Sequence, residues 1–302
     1  MDAFQKKLPI LRAMRPAQWV KNALVAAPLF FAYGDQFQGL SAAKALAPAA
    51  ATSFLAVVSF CLVSSGIYLF NDILDRAEDA LHPVKRFRPI ASGELSVAAA
   101  RAASAILLLV GLGLAFALGG KFCAIAGIYV AMQFAYTLLL KRVALLDVVV
   151  IAIGFVMRAI AGAVAIKVDI SPWLVLCTFF ISLFLALCKR RQEKVIHAES
   201  EQRRSVKGYG VTLLNLLISI AATSTIIAYS LYTVSAETVA KFGTRRLGAT
   251  IPFVVFGVFR YLYLVFTEKQ GERPEQTLLS DAAILVTVAL YLTAFATVLA
   301  LR

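Results

Sequence analysis

The sequence predicts an all-α integral membrane protein, and three observations lead there. Of 302 residues, 61% are hydrophobic and 16% are charged, whereas a soluble domain is nearer half apolar and a quarter charged. The mean hydropathy is +0.82. The apolar residues fall into nine uncharged or nearly uncharged runs, at about 23–40, 46–70, 102–120, 122–140, 143–166, 170–188, 208–236, 247–267 and 278–301. Most approach the ~20 residues a helix needs to cross a bilayer. One soluble core cannot hide that much apolar surface from water, and the composition also excludes disorder, coiled coil and collagen. With no low-complexity linker, residues 1–302 read as a single membrane domain.

The first run is the weakest, because only Asn22 to Gly34 is free of charge before Asp35. The basic, amphipathic start (Lys6, Lys7, Pro9, Arg12, Arg15, Pro16) lacks the pattern of a removable signal peptide. Lys21 and Asn22 open the first run beside Trp19; they could close a polar cap or, with the indole, anchor the interface. The second run leads into an acidic segment, Tyr68 to Asp79. The fifth carries Asp147 and Arg158, three turns apart on one helix face. A structural link through other polar groups and a contact with substrate are both open for that pair. The sixth run ends in Lys189, Arg190 and Arg191. Arg260, near one end of the eighth, is either a phosphate ligand or a snorkelling anchor. The four cysteines (Cys61, Cys123, Cys177, Cys188) show no CxxC spacing and read as small membrane-buried side chains.

Thirty Lys and Arg against 17 Asp and Glu give a formal charge of +13. With a cytoplasmic N-terminus, 20 of the 30 bases fall in inside loops. Seven fall outside: Lys44, Lys121, Lys167, Lys241, Arg245, Arg246 and Arg302. That bias predicts an N-inside, C-outside protein of the inner (cell) membrane, and it removes nucleic-acid binding as the reading of a basic chain. The trio Lys241, Arg245 and Arg246 reads as a headgroup anchor. Fourteen of the 17 acids also lie inside or near that face. Acids contribute little to orientation, so their clustering needs another reason.

Asp72, Asp75 and Asp79 stand at i, i+3 and i+7. If the second helix continues, they share one face with Asn71 and Tyr68 beside them. Three like charges on one face need a cation or basic partners. One reading is a solvated helix end paired to Arg76, Lys85 or Arg86. The other is a set of hard oxygen ligands for magnesium completed by substrate phosphates; charges so close to a membrane are usually functional. The loop that follows, His82 to Gly93, has two prolines and a glycine, which make it shaped rather than helical. Its Lys85 and Arg88 can donate to phosphate oxygens, and His82 before Pro83 reads as a loop-shaping residue.

This motif pair, NDxxDxxxD at 71–79 and KxxRPIASG at 85–93, resembles the UbiA superfamily of intramembrane transferases, over nearly the whole chain. The resemblance implies nine transmembrane helices around a central cavity, with a cytoplasmic polar cap over its mouth and lateral access for lipid. It implies magnesium held by Asn71, Asp72, Asp75 and Asp79, with the three aspartates catalytic. Most members ionise a prenyl diphosphate and attach the prenyl group to an aromatic acceptor.

One departure narrows this. The family's second aspartate motif, after span six, is absent; the loop from Lys189 to Lys207 holds seven bases and three acids. That suits a second phosphorylated substrate. Arg15-Pro16 to Asn22, Lys189 to Glu193, Arg260-Tyr261 and Gly271 to Glu275 resemble one branch, the decaprenyl-phosphate phosphoribosyltransferases. The resemblance then implies magnesium-dependent transfer of 5-phosphoribose from phosphoribosyl pyrophosphate to a polyprenyl phosphate, a lipid-linked sugar step of cell-envelope biosynthesis. Lys21, Asn22, Tyr68, Asn71, Lys85, Arg88, Lys189, Arg190, Arg191 and Arg260 are the substrate-binding candidates. The lipid phosphate is already an anion, so no dedicated general base is required. Rival readings are an aromatic prenyltransferase of the same fold and a transporter or lipid-binding protein; no inverted repeat supports the latter. A homo-oligomer stays open.

Overall fold

The structure, a computed structural model, describes residues 8–32, 42–196, 210–268, 271 and 274–301. All regular elements among them are helical. In chain order these are α1 (Pro9–Met14), a 3₁₀ helix (Pro16–Val25), α2 (Ala27–Ala32), α3 (Ala42–Leu74) and α4 (Arg76–Leu81). A 3₁₀ turn (Lys85–Phe87), α5 (Val97–Leu118), α6 (Gly120–Leu138), a turn (Leu140–Arg142), α7 (Leu146–Ala165) and α8 (Pro172–Ile196) follow. Then come α9 (Val211–Val234), α10 (Ala236–Phe242), a turn (Arg246–Thr250), α11 (Ile251–Phe266), α12 (Pro274–Ser280) and α13 (Ala282–Ala300).

Among the described residues, 8 helices rather than nine are long and apolar enough to cross a membrane. The difference lies in the first run. Residues 33–41 are outside the described ones, and what precedes them in that run is the end of the 3₁₀ helix and the six residues of α2. The other eight runs each became a helix. Their ends follow local chemistry. The Ser96 hydroxyl accepts from Ala99 N at the start of α5, and Asp281 accepts from Ile284 N at the start of α13. Gly119, at φ 127, turns α5 directly into α6. Large apolar side chains such as Phe116 and Leu109 are about three-quarters exposed, as expected of helices whose outer face meets lipid.

The chain forms two compact units. The first comprises Met1–Leu29, Leu46–Leu138 and Met157–Val168. Its main core packs Phe60, Val63 and Ile67 of α3 with Phe122, Ala126 and Tyr129 of α6 and Ala161 of α7. Small and polar residues bring α3 and α5 together: Ser59 donates to the Gly111 carbonyl at 2.8 Å and Ser104 to the Gly66 carbonyl at 2.7 Å. Such contacts replace the hydrophobic drive that lipid cannot supply. The second unit comprises Phe30–Ala45, Leu139–Val156 and Asp169–Arg302. Its core joins Phe184 and Leu187 of α8 with Leu214 and Ile218 of α9 and Val258, Tyr261 and Leu264 of α11.

The 3₁₀ segment of the first unit is ten residues long, where runs beyond three or four are uncommon. Tertiary contacts hold it. Trp19 Nε1 donates to Ser65 Oγ at 3.0 Å and Asn22 Nδ2 to Ser64 Oγ at 3.1 Å. Gly162 of α7 lets the segment's end lie flush, because a Cβ there would stand 1.9 Å from the Val25 carbonyl oxygen. Gly162→Ala should therefore destabilise the protein by about 1–3 kcal/mol, the usual cost of overpacking. Gly113→Ala, where a Cβ meets nothing within 4 Å, should be neutral or slightly stabilising. Thermal unfolding of the detergent-solubilised protein checks the pair.

Candidate active site

The acidic segment of the first unit sits where α3 ends. The α-helix is interrupted at Asp75, yet its hydrogen bonds run on: Asp75 N donates to Asn71 O at 2.9 Å and Asp79 N to Asp75 O at 2.8 Å. The near-helical path keeps Asp72 and Asp79 on one face. Both are buried, at 2% and 3% exposure, and both meet the same nitrogen of Arg88. That nitrogen donates to Asp72 Oδ1 at 3.1 Å and to Asp79 Oδ2 at 2.5 Å. Asp75 is half-buried. Asn71 Oδ1 accepts from the Thr137 hydroxyl at 2.5 Å, which fixes the amide against α6.

The basic loop is shaped as its prolines suggested. His82 Nδ1 accepts from the backbone N–H groups of Val84 and Lys85, at 3.1 and 3.2 Å. That supports a loop-shaping histidine and leaves Lys85 half-buried on the turn. Arg12 of α1 pairs with Glu94 at 2.6 Å and donates to the Phe87 carbonyl at 3.0 Å, tying α1 to the loop. Sequence reasoning gave Arg15 no role. Its guanidinium donates to Asp72 Oδ1 and lies 5.0 Å from the centroid of the Tyr68 ring.

Asn22 lies on the 3₁₀ segment against α3. It is buried and carries Arg158: Arg158 Nε donates to Asn22 Oδ1 at 2.9 Å, and another nitrogen of that side chain to Tyr129 Oη at 2.6 Å. The guanidinium also stands 4.8 Å from the Tyr129 ring centroid. A membrane-embedded arginine needs such partners. A tyrosine in mid-span, whose hydroxyl must be satisfied, was the available hint. Lys21 sits half-buried on the same segment.

In the second unit, Asp147 pairs with Arg190 at 2.6 Å, both side chains being almost wholly buried. Arg190 also meets Glu193 at 2.6 Å. Here the guanidinium neutralises a buried carboxylate. Arg191 donates to Asn215 Oδ1 at 2.8 Å and stacks 4.0 Å from the Phe266 ring centroid. Lys189 is more open, with Nζ 3.9 Å from Glu193. Arg260, near the middle of α11, is partly exposed. It forms a two-point bridge to Asp281, at 3.2 and 2.8 Å, whose hydrogen bonds hold the Asp281 carboxyl below its usual range. Arg203, Arg204 and Lys207 lie outside the described residues.

The donors suit a magnesium ion that is shared with substrate. Magnesium takes one or two carboxylates and fills its remaining positions with water and phosphate oxygens. Two buried carboxylates facing one guanidinium nitrogen provide that pair. Among the described residues no group of three His, Cys, Asp or Glu could hold a metal by itself.

Residues 28–280 match the UbiA prenyltransferase family. The chain belongs to the UbiA family. It is therefore a UbiA-family transferase of the membrane, and the matched segment runs through both units. The decaprenyl-phosphate phosphoribosyltransferase of Corynebacterium glutamicum is 33% identical over 282 residues, 92% of this chain and 82% of that protein. The enzyme of that name from Mycolicibacterium smegmatis is 33% identical over 284 residues, covering 91% and 87%. A UbiA homolog from Archaeoglobus fulgidus, solved with GPP and Mg2+, superposes with a TM-score of 0.71 over 97% of this chain and 100% of that one. At 17% identity it establishes the UbiA-like fold.

The Asp147–Arg190 pair yields a stability prediction. Asp147→Ala leaves a buried guanidinium with less countercharge and should cost about 3–5 kcal/mol. The double variant Asp147→Leu with Arg190→Met should recover most of it. Unfolding in detergent, with both variants and the wild type in parallel, measures the difference.

Proposed function

We propose that the protein transfers 5-phosphoribose from phosphoribosyl pyrophosphate to a polyprenyl phosphate of the decaprenyl type, releasing pyrophosphate. One observation carries the reading. Two phosphoribosyltransferases of that name align with more than nine-tenths of this chain. The buried acid pair beside Arg88 supplies a place for the pyrophosphate end. Lys189 and Arg191 stand where the common family pattern has acids, which favours a substrate pair richer in phosphate.

In this reading magnesium, once bound, neutralises the departing pyrophosphate. Asp72 and Asp79 hold the cation, with Asp75 and Asn71 near it. Arg88 and Lys85 bind pyrophosphate oxygens as charge builds on them. The lipid phosphate is an anion at neutral pH and attacks C1 of the ribose, breaking the bond to pyrophosphate, so the chain needs no proton acceptor there. In-line displacement inverts C1. Lys189 and Arg191 take a phosphate of either substrate. The acidic segment and its basic loop face the cytoplasm, where phosphoribosyl pyrophosphate is found.

Purified protein incubated with radiolabelled phosphoribosyl pyrophosphate, decaprenyl phosphate and magnesium should move label into the lipid fraction, and EDTA should stop it. A parallel arm with a prenyl diphosphate and an aromatic acceptor should give no product. Absence of lipid-bound label alongside a working control enzyme overturns the proposal. Asp72→Ala and Asp79→Ala should each lower turnover by about two orders of magnitude or more, with unfolding temperatures close to wild type. Near-normal turnover in both would refute the metal assignment.

A further inference from the structure

Arg15 is a cation in contact with the acid pair that the reaction as derived leaves unused. It occupies the left-handed region, φ 55 and ψ 62, at the end of α1, a conformation that a residue with a Cβ rarely adopts unless its surroundings impose it. The surroundings here do so from both sides. On one side, Ser65 Oγ donates to the Met14 carbonyl at 3.1 Å, and Arg12 holds α1 to the basic loop through Glu94 and Phe87. On the other, Trp19 fastens the 3₁₀ segment to α3. The strained turn delivers the guanidinium over Tyr68 and onto Asp72 Oδ1, the oxygen that Arg88 also reaches.

Two acids, Asp72 and Asp79, thus face two guanidinium groups. The two guanidinium groups offset the charges of this pair, Asp72 Oδ1 is hydrogen-bonded to both, and Asp75 is a further carboxylate acting on Asp72. A divalent cation arriving alone meets an acid pair already neutralised and two nearby positive charges that oppose it. A cation arriving with a diphosphate brings anionic oxygens to which the arginines can turn.

We infer that Arg15 is a positioning residue, an internal countercation that occupies Asp72 until a divalent cation and a diphosphate arrive together. It makes the binding of each depend on the other, a coupling that must be reciprocal. The inference rests on the proposed metal–diphosphate site.

The test titrates Mn2+, followed by electron paramagnetic resonance of the free ion, into the detergent-solubilised full chain with and without inorganic pyrophosphate. Arg15→Gln should bind Mn2+ alone about tenfold more tightly than wild type. It should also lose most of the gain in Mn2+ affinity that pyrophosphate gives the wild type. Arg15→Lys, which keeps the charge, should stay near wild type. A merely structural role for Arg15 predicts weaker binding, not tighter. Equal or weaker Mn2+ binding by Arg15→Gln, with binding lost in Asp72→Asn, overturns the inference and leaves the metal site standing. Binding by Asp72→Asn that matches wild type, with pyrophosphate present, overturns the metal site itself. Should Arg15→Gln not fold, Tyr68→Leu removes the ring beneath the guanidinium and should move Mn2+ affinity in the same direction by less; no change in it overturns the inference.

Discussion

Two carboxylates buried at the end of a membrane-spanning helix demand positive charge within hydrogen-bonding reach, since an unpaired charge in such a place is among the most expensive features a protein can carry. The first unit is organised around that demand. Arg88 approaches Asp72 and Asp79 from the loop after α4, and Arg15 approaches Asp72 from the chain's beginning. The loop needs His82 to hold its backbone. The beginning of the chain needs Trp19, Asn22 and Gly162 to lie flat against α3 and α7. The same arginines that make the acids tolerable are the groups a diphosphate would attract away.

The second unit meets the same demand differently. Arg190 reaches back to Asp147 on another helix, and the pair is sealed from water. Beside it, Gln192 donates to the Val265 carbonyl. Gly271, at φ 108, lies where a Cβ would press on Val265 at 2.9 Å. Gly271 thus lies close to Val265 of α11 and Gln192 of α8. Of the three consecutive bases after Cys188, the middle one is buried against Asp147 and the outer two remain at partly exposed positions. A run of like charges on a helix distributes itself by angle: residues 100° apart face different surroundings.

That rule also marks how far the sequence could be read. The spans were legible because lipid imposes a length and a composition on them. The pairing of Asp72 with Asp79 was legible because i and i+7 share a helix face whether or not one residue between them breaks the helix. Partners distant in sequence were not legible. Arg158 and Asn22 are 136 residues apart, and Arg15 and Asp72 are 57 apart; periodicity carries no information at that range. Asp147 is a further case: its partner Arg190 lies 43 residues away on another helix.

The long 3₁₀ segment has a geometric consequence. A 3₁₀ helix rises about 2.0 Å per residue, against about 1.5 Å in an α-helix. The ten residues from Pro16 to Val25 therefore cover about 20 Å, a third more than an α-helix of the same length. A stretch wound this way reaches a given depth with fewer residues than the usual twenty. Any rule that counts residues at 1.5 Å each will undervalue the reach of such a segment.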